Sequence, residues 1–330
     1  MKQQEREKSF SSVLDELFND EQVSIPLLYR LSDLADEPFG EFAQRWPAVA
    51  DERRRVIARH LVDICEENYV VDFSRVFIFC FGDASPAVRV AALDGIWDES
   101  NMRLVSPVIE LMQTDPSVEV RAAAAAALSH YVLMAEWGQI PRTVSPRIVA
   151  ALLAEYDRAE TAVSVKRAAL EALGAANHPR VVEMIEDAYE GDDFDMTLSA
   201  VFAMGSSADE RWLPIVLREM SNPSPEMRVE AVRAAGSIGN TEALPILARL
   251  AADEDFEVAY AVVEALGQMG GELAHKMLTR MAEDDDFARL HDAVDEALEE
   301  MDWLGGEFDL MDMMSDDTDD IEDDDWVVEE

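Results

Sequence analysis

The stretch RVEAVRAAGSIGN, residues 228–240, decides how the rest of the chain is read, because the chain keeps respelling it. Residues 165–177 read VKRAALEALGAAN and residues 258–270 read VAYAVVEALGQMG. Gly174, Gly205, Gly236 and Gly267 stand 31 residues apart. Each is preceded by Leu173, Met204, Ala235 or Leu266, and before that by Ala172, Ala203, Ala234 or Ala265. A fixed period means an array of small units, none of which buries its apolar face alone. Within one unit Ala231, Ala234 and Ala235 fall at i, i+3 and i+4, one face of a helix that a second helix can approach closely. The column glycine is expected to end the helix in a left-handed cap. A second apolar-periodic helix such as TEALPILARLAAD, residues 241–253, follows, and acidic residues ahead of the next helix offer N-cap oxygens. Each unit is thus a helical hairpin.

The same register continues upstream. SPAVRVAALDGIW holds Arg89, Ala92 and Ile96 in place, and PSVEVRAAAAAALS holds Arg121, Ala124, Ala127 and Leu128, 32 residues on from the first arginine. From Arg121 to Lys166 the step is 45, and the surplus is assigned to a loop at WGQIPRTVSP with its two prolines. ERRRVIARHLVDICEE and ARLHDAVDEALEEM, the latter with Val294, Ala297 and Leu298 in register, read as the atypical end copies an array needs. The expectation is all-α: an α-solenoid of about eight hairpins over residues 48–301. Ahead of it lies a helical extension, residues 1–47, whose first 8 to 20 residues are left open between order and disorder. Residues 302–330 follow as an acidic tail expected to be disordered.

The pattern of Asp, Pro or Ser, then Val-Arg, two spacers, Ala, two more and Ala-Leu-Gly resembles the short HEAT-like repeats named after phycobilisome bilin lyases. It is clearest in DASPAVRVAALDGI and DPSVEVRAAAAAAL. The resemblance covers about three quarters of the chain, and it implies an α-solenoid whose members serve as scaffolds, adaptors, lyase subunits and a few metalloenzymes. It also implies an Asp–Arg ladder between units through Arg89, Arg121 and Arg228, interrupted where Lys166, Thr197, Ala259 and His291 replace the arginine.

Composition narrows the partners. Asp and Glu total 70 against 27 Lys and Arg, a formal charge of −43, which repels nucleic-acid backbones and anionic membrane surfaces. Neither nucleic acid nor membrane is expected as a partner. Cys65 and Cys80 lie in apolar helical stretches without a disulfide framework, no apolar run approaches a membrane span, and the start lacks the apolar core of a secretory signal, so a cytoplasmic location is expected.

Chemistry is hard to find. His60, His130, His178, His275 and His291 share no ligand spacing, and no His-Glu dipeptide occurs. Asp192, Asp193 and Asp195, and Asp284 to Asp286, lack the spacing of a calcium loop and sit where N-caps belong. No phosphate loop or Gly-x-Ser-x-Gly elbow is present. No catalytic, metal or cofactor residue is assigned, and a non-catalytic scaffold or adaptor is the expected function. A lyase-like subunit or a chaperone-like binder of basic clients is the alternative.

A binding face can be placed by period. Opposite the apolar side of the second helices (Leu213, Val216, Leu217 and Met220) lie Arg211 and Arg218, then Glu242 and Arg249, then Leu273, Lys276 and Arg280. Arg218, Arg249 and Arg280 form a basic column, broken at its start by Asp187, that suits an acidic peptide because the arginine fork matches carboxylates. Simple pairing with neighbouring acids is the alternative. The tail holds 14 acids, no Lys or Arg, and apolar residues among them, with Trp303, Phe308, Leu310, Met311 and Trp326 as the candidate motif. Such alternation suits docking on a partner. The tail would recruit a basic protein, compete for the arginine column or serve only solubility.

Overall fold

The computed structural model describes residues 8–316 except Tyr69, Asp98 and Arg142, and side chains as far as Trp303. Every regular element among them is helical. The residues fall into two compact units divided between Ala203 and Met204.

The first unit opens with α1 (Phe10–Asn19), α2 (Ile25–Leu28) and α3 (Asp36–Arg45). The Ser9 side chain accepts the Ser12 N–H to cap α1, whose Val13, Leu14 and Leu17 are fully buried. The start of the described chain is therefore ordered from α1 onward, while residues 1–7 lie outside the described residues. Phe18, Phe42, Trp46 and Phe79 meet edge-on or tilted at 5.0–6.1 Å, the preferred geometry of aromatic rings, and so clamp the extension to the first hairpin.

That hairpin is α4 (Asp51–Glu67) with α5 (Ser74–Cys80). Three more follow: α6 (Pro86–Asp94) with α7 (Val105–Thr114), α8 (Val118–Glu136) with α9 (Ser145–Asp157), and α10 (Val163–Leu173) with α11 (Pro179–Glu190). Helix α12 (Phe194–Ser206) crosses the division. The second unit continues with α13 (Leu213–Glu219), α14 (Pro225–Ile238), α15 (Leu244–Leu250), α16 (Phe256–Met269), α17 (Gly271–Glu283) and α18 (His291–Asp316). In chain order this makes seven hairpins and the first helix of an eighth, the expected all-α repeat array. The first helices of successive hairpins pack on one another, α4 on α6 on α8 on α10 in one unit and α14 on α16 on α18 in the other. Between them lies a core of small residues: Ala231, Ala234 and Ala235 are at most 2 % exposed.

Three expectations need correction. First, the column glycines do not act as left-handed caps. Gly205, Gly236 and Gly267 lie inside α12, α14 and α16, and Gly174 follows α10 in right-handed backbone with φ −49°. The left-handed cap of α14 is Gly239 at φ 70°, and α16 ends on Gly270 at φ 63°. The column serves packing. A Cβ on Gly205 would stand 2.7 Å from Ala234 Cα, and one on Gly236 2.8 Å from Ala265 Cα. Only hydrogen fits where two helix backbones come so close.

Second, much of the surplus between Arg121 and Lys166 is helix. Helix α8 runs 19 residues, and its added turns bury Tyr131, Val132 and Met134; the connection, residues 137–144, falls where the two-proline loop was expected. Apolar side chains at helical spacing carried the helix past the point where the repeat would turn.

Third, α18 does not stop where the apolar periodicity fails. It continues through Asp302 to Asp316, and residues 317–330 of the acidic tail lie outside the described residues. Loss of an apolar stripe removes a packing face, yet backbone hydrogen bonds of a helix already begun add one per residue.

Candidate protein-interaction surface

Two rows of arginines run through the repeats, and they do different things. The first is the inter-repeat ladder. Arg89, 7 % exposed, donates from Nε and Nη2 to both carboxylate oxygens of Asp115 in the next repeat at 2.8 and 2.7 Å, and from Nη1 to the Asp83 carbonyl of its own loop. Arg228 repeats this with Asp253 at 3.1 and 2.8 Å and with the Asn222 carbonyl. The aspartates also accept the N–H two residues on, Ser117 on Asp115 and Asp255 on Asp253, so each carboxylate both shapes its loop and receives the previous repeat's arginine. Burial opposes the Asp253 charge, but bonds from Arg228 and the Asp255 N–H, with the charges of Arg228 and Arg289, hold its carboxyl below the usual range.

The ladder is segmented, as its substitutions imply. Among the described residues Arg121 donates only to the carbonyl of Asp115 in its own loop. Where Ala259 replaces the arginine, Arg289 of the following repeat donates to the Asp253 carbonyl instead. Sequence reading missed one member: buried Arg54 meets Asp83, which also accepts the Trp46 indole N–H at 2.7 Å. The signal was present, since Arg89 and Arg121 each follow an aspartate by six residues, Asp83 and Asp115, and Asp115 serves the arginine one repeat earlier as Asp83 serves Arg54.

The second row is the basic column. All its members are exposed, on α13, α15, α17 and the turn before α13. Arg211 pairs with Asp209 at 2.6 Å, Arg218 with Glu219 at 3.2 Å and Lys276 with Glu272. Arg249 donates to Ser221 Oγ at 2.9 Å, and Arg280 makes no ion pair with a described residue. Simple pairing thus accounts for Arg211, Arg218 and Lys276, while Arg249 and Arg280 have no carboxylate partner among the described residues. Of the tail motif, Trp303 is exposed, and Asp302 meets His275 at 3.1 Å. Phe308, Leu310 and Met311 lie on α18 beyond the described side chains, and Trp326 lies outside the described residues.

The remaining titratable groups are scattered. His178 accepts the Arg180 N–H as the cap of α11, and His291 meets the Asp284 carbonyl at 3.1 Å. Asp193 accepts the Met196 N–H and Asp284 the Asp286 N–H, the capping role expected of both acidic runs. Among the described residues no three His, Cys, Asp or Glu side chains gather as a metal site. Burial first, then the charge of Asp83, pushes the Cys80 thiol far up, so it stays protonated; Cys65 is half-buried. No helix among the described residues is long and apolar enough to cross a membrane.

Comparison with known proteins agrees with this architecture. The family described as HEAT repeats matches residues 213–299, and the HEAT repeat matches residues 104–133. No curated protein matches the chain in sequence. Among solved structures the chain is similar to the complex of CpcE and CpcF of phycocyanin lyase from Nostoc sp. PCC7120, at 17 % identity and TM-score 0.52, over 85 % of this chain and 97 % of that one. It is also similar to YibA of Escherichia coli, at 16 % identity and TM-score 0.44, over 86 % and 99 %, and to importin beta, at 14 % identity and TM-score 0.41, over 88 % and 46 %. The chain is thus an all-helical repeat array in which residues 104–133 and 213–299 match HEAT repeats.

Proposed function

We propose that the protein is a non-catalytic scaffold or adaptor that binds protein partners, and that the second helices of its second unit offer an acidic segment the guanidinium groups of Arg218, Arg249 and Arg280. The observation that carries the reading is the exposure of three arginines one repeat apart on a chain of charge −43. Focused positive charge in an acidic surround steers carboxylates to one place. The acidic segment after Met301 either recruits a basic partner or competes for the same arginines, and cytoplasmic location follows the same reading.

The test is affinity capture from native lysate with the full chain, the Arg218→Glu/Arg249→Glu/Arg280→Glu variant and a chain ending at Met301. A discrete partner lost on charge reversal supports the arginine face; one lost with the truncation moves the site to the tail. Retention by both refutes both placements, and no capture above background refutes the adaptor reading. Fold likeness to the lyase complex favours a lyase-like subunit as the second reading. Visible absorbance of the purified protein, from bound tetrapyrrole, would decide for it.

A further inference from the structure

In the first unit a cavity of about 550 Å³ opens over α4, α6 and α8, within the roughly 300–1,000 Å³ of ordinary ligand sites. Its origin can be read from the repeat register. Counted from the repeat arginine, the glycine column is position +8, as Arg228 to Gly236, and the alanine it packs against is position +6 of the next unit, as Ala265 after Ala259. In the first unit position +8 after Arg89 is Trp97, and position +6 after Arg121 is Ala127; both line the cavity. Where Gly205 and Gly236 let the next helix close in, Trp97 stands beyond the end of α6 and lines the hollow. The alanine run 122–127 then supplies no side chain long enough to fill the gap.

The walls have a definite chemistry. Ala123, Ala126 and Ala127 form an apolar floor, and Trp97 is 43 % exposed. Gly95 helps present it: a Cβ there would stand 2.3 Å from the Phe77 ring, so the chain after α6 lies flat on that ring. The charged rim is Arg59, Glu66 and Asp94. Arg59 is committed, with Nη1 on Asp94 at 3.0 Å and Nε to Asp63 at 3.3 Å. Glu66 is exposed and makes no ion pair with a described residue. The rim therefore carries uncompensated negative charge, and the burial that raises the Asp94 carboxyl, opposed by Arg59 and reinforced by Glu66, adds to the cost of that charge. In the wall His130 Nε2 is buried without a hydrogen-bond partner among the described residues.

We propose that this cavity binds a small organic cation, an amine on a flat apolar body. The body lies on the alanine floor against Trp97, and the ammonium sits between Glu66 and Asp94, where it supplies the missing positive charge. An exposed indole face attracts cations as well as apolar surface. An anion finds no free positive group there, because Arg59 is already shared between two aspartates.

Calorimetric titration of the full chain tests this, with tryptamine as the cation, 2-phenylethylamine as a smaller one, and indole-3-propionate as the anion of nearly the same shape as tryptamine. Saturable binding of tryptamine tighter than about 1 mM is expected, with no heat from the anion. Glu66→Gln with Asp94→Asn should weaken it about tenfold or more, as should Trp97→Ala, consistent with loss of a partly desolvated charge or cation–π contact. Ala126→Phe fills the hollow from an exposed floor position and should abolish binding, and the unfolding midpoint of each variant shows that the fold is kept. Absence of saturable binding by either amine, equal binding of indole-3-propionate, or tryptamine binding untouched by the rim and floor variants would each overturn the proposal.

Discussion

One packing position is filled differently in two places, one in each unit. In the second unit the first helices of successive hairpins approach until Gly205 and Gly236 meet the Cα atoms of Ala234 and Ala265. In the first unit the same position after Arg89 is Trp97, and it lines a cavity of about 550 Å³. Buried Asp–Arg pairs occur in both, but Arg54–Asp83 and Arg89–Asp115 in the first unit are the more deeply covered. At the Trp97 position a repeat lacks the closest helix contact and still stacks, with the buried Arg89–Asp115 pair spanning the same junction. Such a pair specifies geometry because a misaligned repeat would leave a charge buried alone.

The comparison can be broken at its strongest point first. Asp115→Ala leaves the Arg89 guanidinium buried without its carboxylate and should cost about 3–5 kcal/mol, seen as a lower urea midpoint for the first unit. Next comes the glycine contact. Gly236→Ala should destabilise the second unit by about 1–3 kcal/mol in spite of alanine's better helix propensity, because the new methyl overlaps the Ala265 backbone at 2.8 Å.

A third test uses pH. Asp253 is depressed in the folded state, so the stability it contributes is fully present above the ordinary carboxylate value near pH 4 and is lost as pH falls through the lowered folded value. The gap in urea midpoint between the wild type and Asp253→Asn should be wide at pH 7 and narrow towards pH 3; a gap independent of pH would refute the assignment. The smallest effect sharpens the glycine argument. Gly267→Ala places its Cβ 3.5 Å from Ala297 Cβ, ordinary contact, and should stabilise by about 0.5–1 kcal/mol, measurable as a raised thermal midpoint. Equal destabilisation by Gly236→Ala and Gly267→Ala would show that the column acts through backbone conformation after all.

Gly267 also lines a smaller hollow of about 420 Å³ with Tyr260, Glu264, Glu296 and Ala297, at the same register position as Trp97. Its Ala297 contact is looser than those of Gly205 and Gly236. A hollow therefore forms wherever position +8 and the following position +6 do not close, whichever residue stands there.

The period of 31, the hairpins, the capping acids and the buried alanines were legible because each depends on spacing along one helix, and helical spacing is a property of the chain itself. Column members were legible too, but their task was not: a glycine near a helix end looks the same whether it caps or lets a neighbour close in. Only the distances to Ala234 and Ala265 distinguish the two. The same holds for the second helices, where period placed Arg218, Arg249 and Arg280 in one column while the folded chain decided that Arg218 meets Glu219 and Arg249 meets Ser221. Arg54 as a ladder member, Arg289 in place of the arginine absent at Ala259 and the cavity beside Trp97 all join residues about 30 positions apart. Such pairings depend on how one repeat settles on the next, and that is decided by side-chain volume between helices, which no periodicity within a helix records.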